Sequence, residues 1–307
     1  MVEISLDQVF PVALLLERQG EFHKAENLLR EGYRHVKNPM FLFEAAGILS
    51  SKGDLDGARN ILNELLSDQP FEPANKFISV LNFIHQDGDV VVIHDDGVKF
   101  SLPISGQNWE IEYEWINGRF FEPREIAYLK EHIPPNSTFL DIGSNVGNHA
   151  VFIAKHRPDV QVVVFEPEPR GVEILKTNME INKVENVDMS MLGFAVSDSE
   201  EPIYLQFRNS VTSTRRSTDS LGIKVPSVTL SQLLNENTRF VKMDIEGMEI
   251  DVLRPAIDKL RQCRTSVMLE VLTPNRADYD QFIDDNGLIV IDRIPMHAGE
   301  NIVIKSA

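Results

Sequence analysis

The run Phe139-Leu-Asp-Ile-Gly-Ser-Asn-Val-Gly-Asn148 constrains this chain more than any other segment. An apolar stretch ends at Asp141, Gly143 and Gly147 follow, and His149-Ala-Val-Phe-Ile-Ala154 takes up a helical pattern. Such a run reads as a buried strand, a tight turn and a helix start. Glycine lets the backbone turn sharply and lets a ligand approach closely. The spacing is D-x-G-x-x-x-G, whereas a dinucleotide fingerprint runs G-x-G-x-x-G. Asn145 stands where a further glycine would, and Asn tolerates left-handed backbone angles better than most residues. A carboxylate just ahead of the turn repels a phosphate and attracts a cation. S-adenosylmethionine, with its amino group and sulfonium, is a ligand of that kind.

A second acid supports this reading. Val162-Val-Val-Phe-Glu166-Pro167 is another buried strand, and it ends in Glu166. A carboxylate at the tip of the second strand suits both ribose hydroxyls of a nucleoside. NAD sites use the same device, so Glu166 alone does not separate the two cofactors; the absence of G-x-G-x-x-G does. The plainer reading is an ordinary βαβ unit with acids at solvent-facing strand ends. The order and separation of the two motifs weigh against it.

The chain has 307 residues, a length that suits one α/β domain and a smaller companion. No apolar run approaches the roughly 20 residues that a membrane span needs. Residues Met1 to Asp7 lack a basic start followed by an apolar block, so no secretory signal is expected, and the cytoplasm is the expected location. The single Cys263 excludes an intramolecular disulfide and reads as a structural thiol. A net charge of −17 disfavours a nucleic-acid substrate. Arg208, Arg215 and Arg216 are the nearest thing to a basic patch.

Residues 8 to 70 carry a repeat. Gly20-Glu-Phe-His-Lys-Ala25 aligns with Gly53-Asp-Leu-Asp-Gly-Ala58 at an offset of 33. Helices are expected over Val9 to Gln19, Phe22 to Val36, Met40 to Ser51 and Leu55 to Ser67. Gly ends the first helix of each pair, and a small Ala lets the two helices approach. The period resembles the tetratricopeptide repeat. This region either docks a protein partner, a second copy of the chain included, or serves as a helical scaffold. Asp95-Asp96-Gly97 between two β-rich runs predicts a hairpin. Gln107 to Gly118, with both Trp residues, reads as a short helix or lid. The expected divisions are 1–84 for the repeats, 85–118 for a connector and 119–307 for an α/β domain. Beyond Glu122, helices and strands alternate, which predicts a doubly wound, mostly parallel sheet. The helices expected there are Pro123 to His132, Asn148 to His156, Gly171 to Asn182, Thr229 to Asn235, Ile250 to Arg261 and Asp278 to Asp285. The strands between them begin at Thr138, Gln161, Val187, Phe240 and Ser266. A closing pair spans Leu288 to Arg293 and Asn301 to Ile304.

Val241-Lys-Met-Asp244-Ile-Glu246-Gly247-Met-Glu249 is the second rich motif. Asp244 falls at the carboxyl end of a strand, on the rim that holds Asp141 and Glu166, and Glu270 closes the next strand there. Such carboxylates can act as a general base, hold a divalent cation or grip a cofactor amine. Oxygen-only ligands at Asp244, Glu246 and Glu270 would select magnesium or calcium over zinc. Glu249 at a helix start has a simpler use, matching the helix dipole. The polar run Phe207 to Ser220 reads as a long loop that forms either a substrate wall for a polyhydroxylated or anionic ligand or a plain surface segment.

These motifs together resemble the FkbM family of S-adenosylmethionine-dependent methyltransferases. The resemblance is carried by Phe121-Glu-Pro123, the Asp141 to His149 turn, Phe165-Glu-Pro167, Ala195-Val-Ser-Asp198 and Lys242 to Leu253, and it covers Gly118 to Lys305. It implies a class I methyltransferase, Rossmann-like fold and methyl transfer to a hydroxyl of a sugar, glycan or secondary metabolite. By the same resemblance Asp141, Gly143, Asn145, Gly147 and Asn148 line the methionine end. Glu166 and Pro167 flank the ribose, Val196 and Ser197 edge the adenine, and Asp244 and Glu246 face the methyl. The candidate bases are Asp244 and Glu246, with His149 in reserve. Two departures stand out: Thr229-Leu-Ser231 replaces Thr-Leu-Asp, and Leu269-Glu-Val-Leu272 lacks the family's usual His. The competing expectation is a non-catalytic interaction protein with a nucleoside-binding sheet domain.

Overall fold

A computed structural model describes residues 8–84, 89–207, 214–216, 222–296 and 298–306. The chain divides into two units, one of residues 1–93, 101–121 and 206–223, the other of residues 94–100, 122–205 and 224–307. Among the described residues, no helix is long and apolar enough to cross a membrane.

The first unit begins as a stack of helices: α1 (Val9–Arg18), α2 (Phe22–Val36), α3 (Pro39–Ser51), α4 (Leu55–Asp68) and α5 (Glu72–Phe83). Each packs against the next. The repeat explains the pairing. Ala25 and Ala58 are fully buried where helices meet, and Gly20 and Gly53 take left-handed angles just past α1 and α3. Asn38 and Asp54 cap the helices that follow them through their side-chain oxygens. Helix α3 is buried from Phe41 to Ser50, which makes it the centre of the unit. The hairpin forms from β1 (Val90–Asp95) and β2 (Val98–Pro103), with Asp96 and Gly97 both at positive φ. Helix α6 (Trp109–Ile116) continues the stack against α5. Trp109 lies edge-on to Phe43 at 5.5 Å, and Trp115 is fully buried. The two Trp residues are therefore core residues of this unit.

The second unit is the doubly wound sheet. Its elements are α7 (Pro123–His132), β3 (Thr138–Ile142), α8 (Asn148–His156), β4 (Gln161–Phe165), α9 (Pro169–Asn182), β5 (Val187–Asp188), α10 (Leu230–Leu233) and β11 (Thr238–Met243). Then come α11 (Glu249–Leu253), α12 (Ile257–Cys263), β12 (Ser266–Leu272), α13 (Arg276–Asp285), β13 (Leu288–Pro295) and β14 (Gly299–Ser306). The strand order is β13-β14-β12-β11-β3-β4-β5. Strands β5, β4, β3, β11 and β12 run parallel, and the β13–β14 pair is antiparallel at one edge. This is a doubly wound, Rossmann-like arrangement with an antiparallel pair at one edge. The chain leaves β3 toward β4 on one side and returns to β11 on the other, so the topological switch point lies between β3 and β11.

Between β5 and α10 the chain adds β6 (Ala195–Ser197), β7 (Ile203–Phe207), β8 (Thr214–Arg216), β9 (Ile223–Val225) and β10 (Ser227–Thr229). β6 pairs with β10 in parallel, and β7 to β9 form a three-stranded sheet. Part of the expected loop from Phe207 to Ser220 is thus strand. Arg208 lies outside the described residues, while Arg215 and Arg216 lie on β8. The helix expected from Ile250 to Arg261 is interrupted at Pro255 by a single 3-10 turn, because proline cannot donate to the helical ladder.

The two strand ends at the switch point meet closely. Asp244 donates its backbone N–H to the Ile142 carbonyl at 3.0 Å. Gly143, at φ +80°, has no room for a side chain: a Cβ there would lie 1.9 Å from the Asp244 carbonyl oxygen. Gly143→Ala is therefore expected to cost more than about 3 kcal/mol, from steric overlap and from the left-handed angle together. Urea denaturation of the variant against wild type measures it, and an unchanged midpoint would mean that the strand ends do not meet in this way.

Candidate functional site

Register decides which side chains share a face. Lys242 on β11 lies opposite Asp141 on β3 and Met268 on β12, and Glu270 on β12 lies opposite Asn301 on β14. Residues in register, and residues two apart along a strand, point the same way. Asp141, Lys242, Asp244, Glu270 and Asn301 therefore stand on one face at the carboxyl edge of the sheet. Glu122, just ahead of α7, and His149, in the first turn of α8, approach the same group: their side chains lie 3.2 Å apart, an ion-pair distance.

Lys242 is the centre of this group. It is 4% exposed, and its ammonium lies 3.4 Å from Asp244 Oδ2. Burial disfavours the charged form, but Asp244, Glu122, Asp141 and Glu270 outweigh it and hold the ammonium above the ordinary lysine range. Asp141 is fully buried, and among the described residues neither of its carboxylate oxygens has a hydrogen-bond partner. Burial raises its pKa, with Lys242 and His149 acting in the opposite direction. Burial also opposes ionisation of Glu122, yet the His149 contact, with Lys242, keeps it below the usual carboxylate range. Glu270 is pushed up to about 8, first by burial and then by Asp244, Glu122 and Glu246.

A second group forms around the turn after β3. Gly143 and Ser144 both donate their N–H groups to the Phe165 carbonyl, which ties the turn to the end of β4. The Ser144 hydroxyl donates to the Asp141 carbonyl at 2.6 Å. Asn145 adopts φ 52°, and its N–H donates to Glu166 Oε2 at 2.8 Å. The Glu168 N–H donates to the other oxygen, Oε1, at 2.8 Å. Both Glu166 oxygens are thus held by backbone. Burial still pushes its carboxyl up to about 8, against the pull of those two N–H groups. Gly147 packs against Met179 and Leu175 of α9, where a Cβ would come within 2.8 Å of Met179. Asn148 is buried at the start of α8, and Asn178 of α9 donates to the Val146 carbonyl.

The remaining predicted residues are placed as follows. Pro167 follows Glu166 into the start of α9. Val196 lies in the apolar core with Phe165 and Leu230, and the Ser197 hydroxyl donates to Asp198 at 2.8 Å. The Glu166 carbonyl accepts the Gly193 N–H, which brings the lead into β6 beside Glu166. Glu246 is exposed, at φ 59°, on the loop after β11. Glu249 does more than face a helix dipole. Its Oε1 accepts the N–H groups of Ile245 and Gly247, and its Oε2 accepts the Tyr279 hydroxyl at 2.6 Å. It braces the loop that carries Glu246. Among the described residues no group of three or more His, Cys, Asp or Glu side chains is arranged to hold a metal ion, so the magnesium expected at Asp244, Glu246 and Glu270 finds no support here. Lys242, Glu122 and Tyr279 were not among the predicted site residues. The available signal for Lys242 was a charged residue inside the apolar run Phe240-Val-Lys-Met243.

Residues 141–288 match the model of the methyltransferase FkbM domain. "Methyltransferase 1" of Beauveria bassiana (strain ARSEF 2860) is 24% identical over 195 residues, 55% of this chain and 77% of that protein. "Methyltransferase sdnD" of Sordaria araneosa is 20% identical over 216 residues, 58% of this chain and 83% of that protein. The solved precorrin-6y C5,15-methyltransferase of Geobacter metallireducens GS-15 superposes with a TM-score of 0.40 at 14% identity, covering 61% of this chain and 88% of its own. Residues 141–288, a little under half of the chain, thus carry the resemblance to the FkbM methyltransferase domain, and methyl transfer is the activity class that this match and the two relatives support.

The Glu166 shift has a consequence for stability. Folded Glu166 keeps its proton up to about pH 8, whereas an unfolded glutamate releases it near pH 4.3. The folded state binds more protons in between, so this group's contribution falls as pH rises from about 4.3 to about 8 and is level above that. Glu166→Gln removes the contribution. Denaturation midpoints of both proteins across that window should show a flatter profile in the variant; parallel profiles would mean that Glu166 is not buried as described.

Proposed function

We propose that the chain is an S-adenosylmethionine-dependent O-methyltransferase that acts on a hydroxyl of a sugar, glycan or secondary metabolite. The observation that carries the cofactor assignment is the fully buried Asp141 carboxylate, whose two oxygens have no hydrogen-bond partner among the described residues. A buried carboxylate without a partner costs several kcal/mol, and a ligand ammonium would satisfy it. Glu166, fixed by two backbone N–H groups, keeps lone pairs for two ribose hydroxyls. Gly143 and Gly147 leave the turn bare for close approach. Asn145 and Asn148 line the same turn, and Pro167, Val196 and Ser197 flank the nucleoside side. S-adenosylmethionine supplies an electrophilic methyl group on sulfur.

The chain's own residues orient the acceptor and take its proton. Asp244 is half-buried beside Lys242, at the strand end next to the turn. Its carboxylate accepts the hydrogen bond of the acceptor hydroxyl and receives its proton as the oxygen is alkylated. Lys242 fixes the position of that carboxylate, which matters as much as its basicity. Glu246, on the braced loop, contacts the acceptor from the solvent side, and His149 holds Glu122 in place. The stacked helices of the first unit offer an extended surface suited to a protein partner.

Calorimetry with S-adenosylmethionine tests this reading, with NADH as the control. Wild type should bind the former and not the latter, and Asp141→Ala should weaken binding by about 30-fold or more. No binding to folded wild type would defeat the proposal. With an acceptor that takes up labelled methyl, Asp244→Asn should lower turnover by about 100-fold or more while cofactor affinity holds. Retained turnover would remove Asp244 from the chemistry.

A further inference from the structure

The first turn of α9 departs twice from what a stable helix start asks for. Its N-cap is Glu168, whereas Ser, Thr, Asp and Asn are the side chains favoured at that position. Its third helical residue is Gly171, which has no positive φ to call for glycine and weakens the helix relative to alanine. Both departures touch the same residue, Glu166.

Glu168 is 3% exposed, so a second carboxylate is buried beside the first. Two acids set close together in the interior cost stability unless both are held. The Glu168 side chain is held at each end: Oε2 accepts the Gly171 N–H at 2.6 Å, and Oε1 accepts Arg170 Nε at 2.9 Å. Its backbone is engaged too, since its carbonyl accepts the Val172 N–H at 2.9 Å and its own N–H donates to Glu166 Oε1 at 2.8 Å. The side-chain bonds therefore fix the peptide whose N–H grips Glu166. Gly171 closes the arrangement from the helix side. A Cβ there would lie 3.1 Å from Glu166 Cγ and 3.4 Å from its carboxyl carbon, so only glycine leaves Glu166 where it stands. Residues that depart from good helix chemistry at one point, around one buried acid, mark that point as functional.

We propose that Glu168 is a positioning residue and Gly171 a specificity-determining one, together holding the Glu166 carboxylate in the placement that meets both ribose hydroxyls of the cofactor. The inference rests on the cofactor assignment above. Glu168 anchors Oε1 from the start of α9, and the Asn145 N–H anchors Oε2 from the turn after β3. Hydroxyls on adjacent ribose carbons have a fixed spacing, and a carboxyl group pinned at both oxygens meets it without reorganising. The same rigidity rejects a ligand that lacks one hydroxyl, because the buried oxygen set aside for it is left without its partner.

The test is calorimetric titration of the full chain with S-adenosylmethionine and with its 2′-deoxyribose analogue, beside a thermal melt of each variant. Wild type should bind the ribose ligand at least about tenfold more tightly than the deoxyribose one. Glu168→Ala should narrow that gap to about threefold or less, with affinity for the deoxyribose ligand held within about twofold. Glu168→Gln, which keeps an oxygen for the Gly171 N–H, should preserve the gap. Gly171→Ala should melt no lower than wild type, since alanine is the better helix former, and should still narrow the gap by about threefold or more. A Glu168→Ala variant that keeps the full gap would overturn the inference. So would one that weakens both ligands alike, since that is the mark of a structural role. If Glu168→Ala does not fold, Gly171→Ala decides, and a full gap in that variant overturns the inference. Equal binding of both ligands by wild type would overturn it too, and leave the Asp141 end of the cofactor assignment standing. Binding of neither by folded wild type would remove the cofactor assignment, and this inference with it.

Discussion

One buried ammonium makes the carboxyl edge of this sheet possible. Lys242 lies in register with Asp141 and two residues ahead of Asp244, with Glu270 on the neighbouring strand. Without it, four carboxylates would share one face with only an imidazole to offset them. Removing an ion from water costs several kcal/mol even after relaxation, and one close opposite charge returns about 4 kcal/mol at the effective dielectric of a protein. Four carboxylates around one ammonium do not balance on those terms. Apolar residues of similar size would give a more stable strand edge. A fold that keeps charges here does so at the expense of stability, and such departures from good packing are where function is found.

The backbone shows the same departure. Among the described residues, three non-glycine positions with positive φ fall at this site: Glu122, Asn145 and Glu246. Others, such as Lys37, Lys183 and Arg264, end helices, where a left-handed residue is routine. The three at the site end no helix. Each sets the direction of a carboxylate or of the turn: Glu122 toward His149, the Asn145 N–H toward Glu166, and Glu246 out of the loop that Glu249 braces. Strain at these points is held by the elements on either side, as in the closed contact of Gly143 with Asp244.

Local signals made much of this legible in the sequence. Strands β3 and β4 and helices α7 and α8 begin and end where the apolar runs and their terminators place them, because each is bounded by Pro, Gly or a charged residue. The turn after β3, to which the cofactor is assigned here by proposal, is legible for the same reason, since Asp141, Gly143 and Gly147 sit within one local motif. The short strands β6 to β10 were not, because strands of three to five residues owe their pairing to distant partners such as Ala195 with Ser227. Helix α5 escaped notice because no third repeat marks it. Lys242, Glu122 and Tyr279 were illegible as site residues because their roles depend on partners up to more than a hundred positions away. Carboxylates close in sequence, such as Asp244 and Glu246, do not by themselves make a metal site, and among the described residues no such group is found.

Glu166 and Asp141 divide the site into two kinds of preparation. Glu166 has both oxygens engaged by backbone N–H groups, so its position is set before any ligand arrives. Among the described residues neither Asp141 oxygen has a hydrogen-bond partner, and Lys242 and His149 offset its burial only in part. On the proposed assignment, the ribose end of the cofactor meets a preformed surface and loses little to reorganisation. The methionine end instead meets a carboxylate whose desolvation has already been imposed by folding. The stability withheld at Asp141 then returns as ligand affinity, and it returns only to a ligand that carries positive charge.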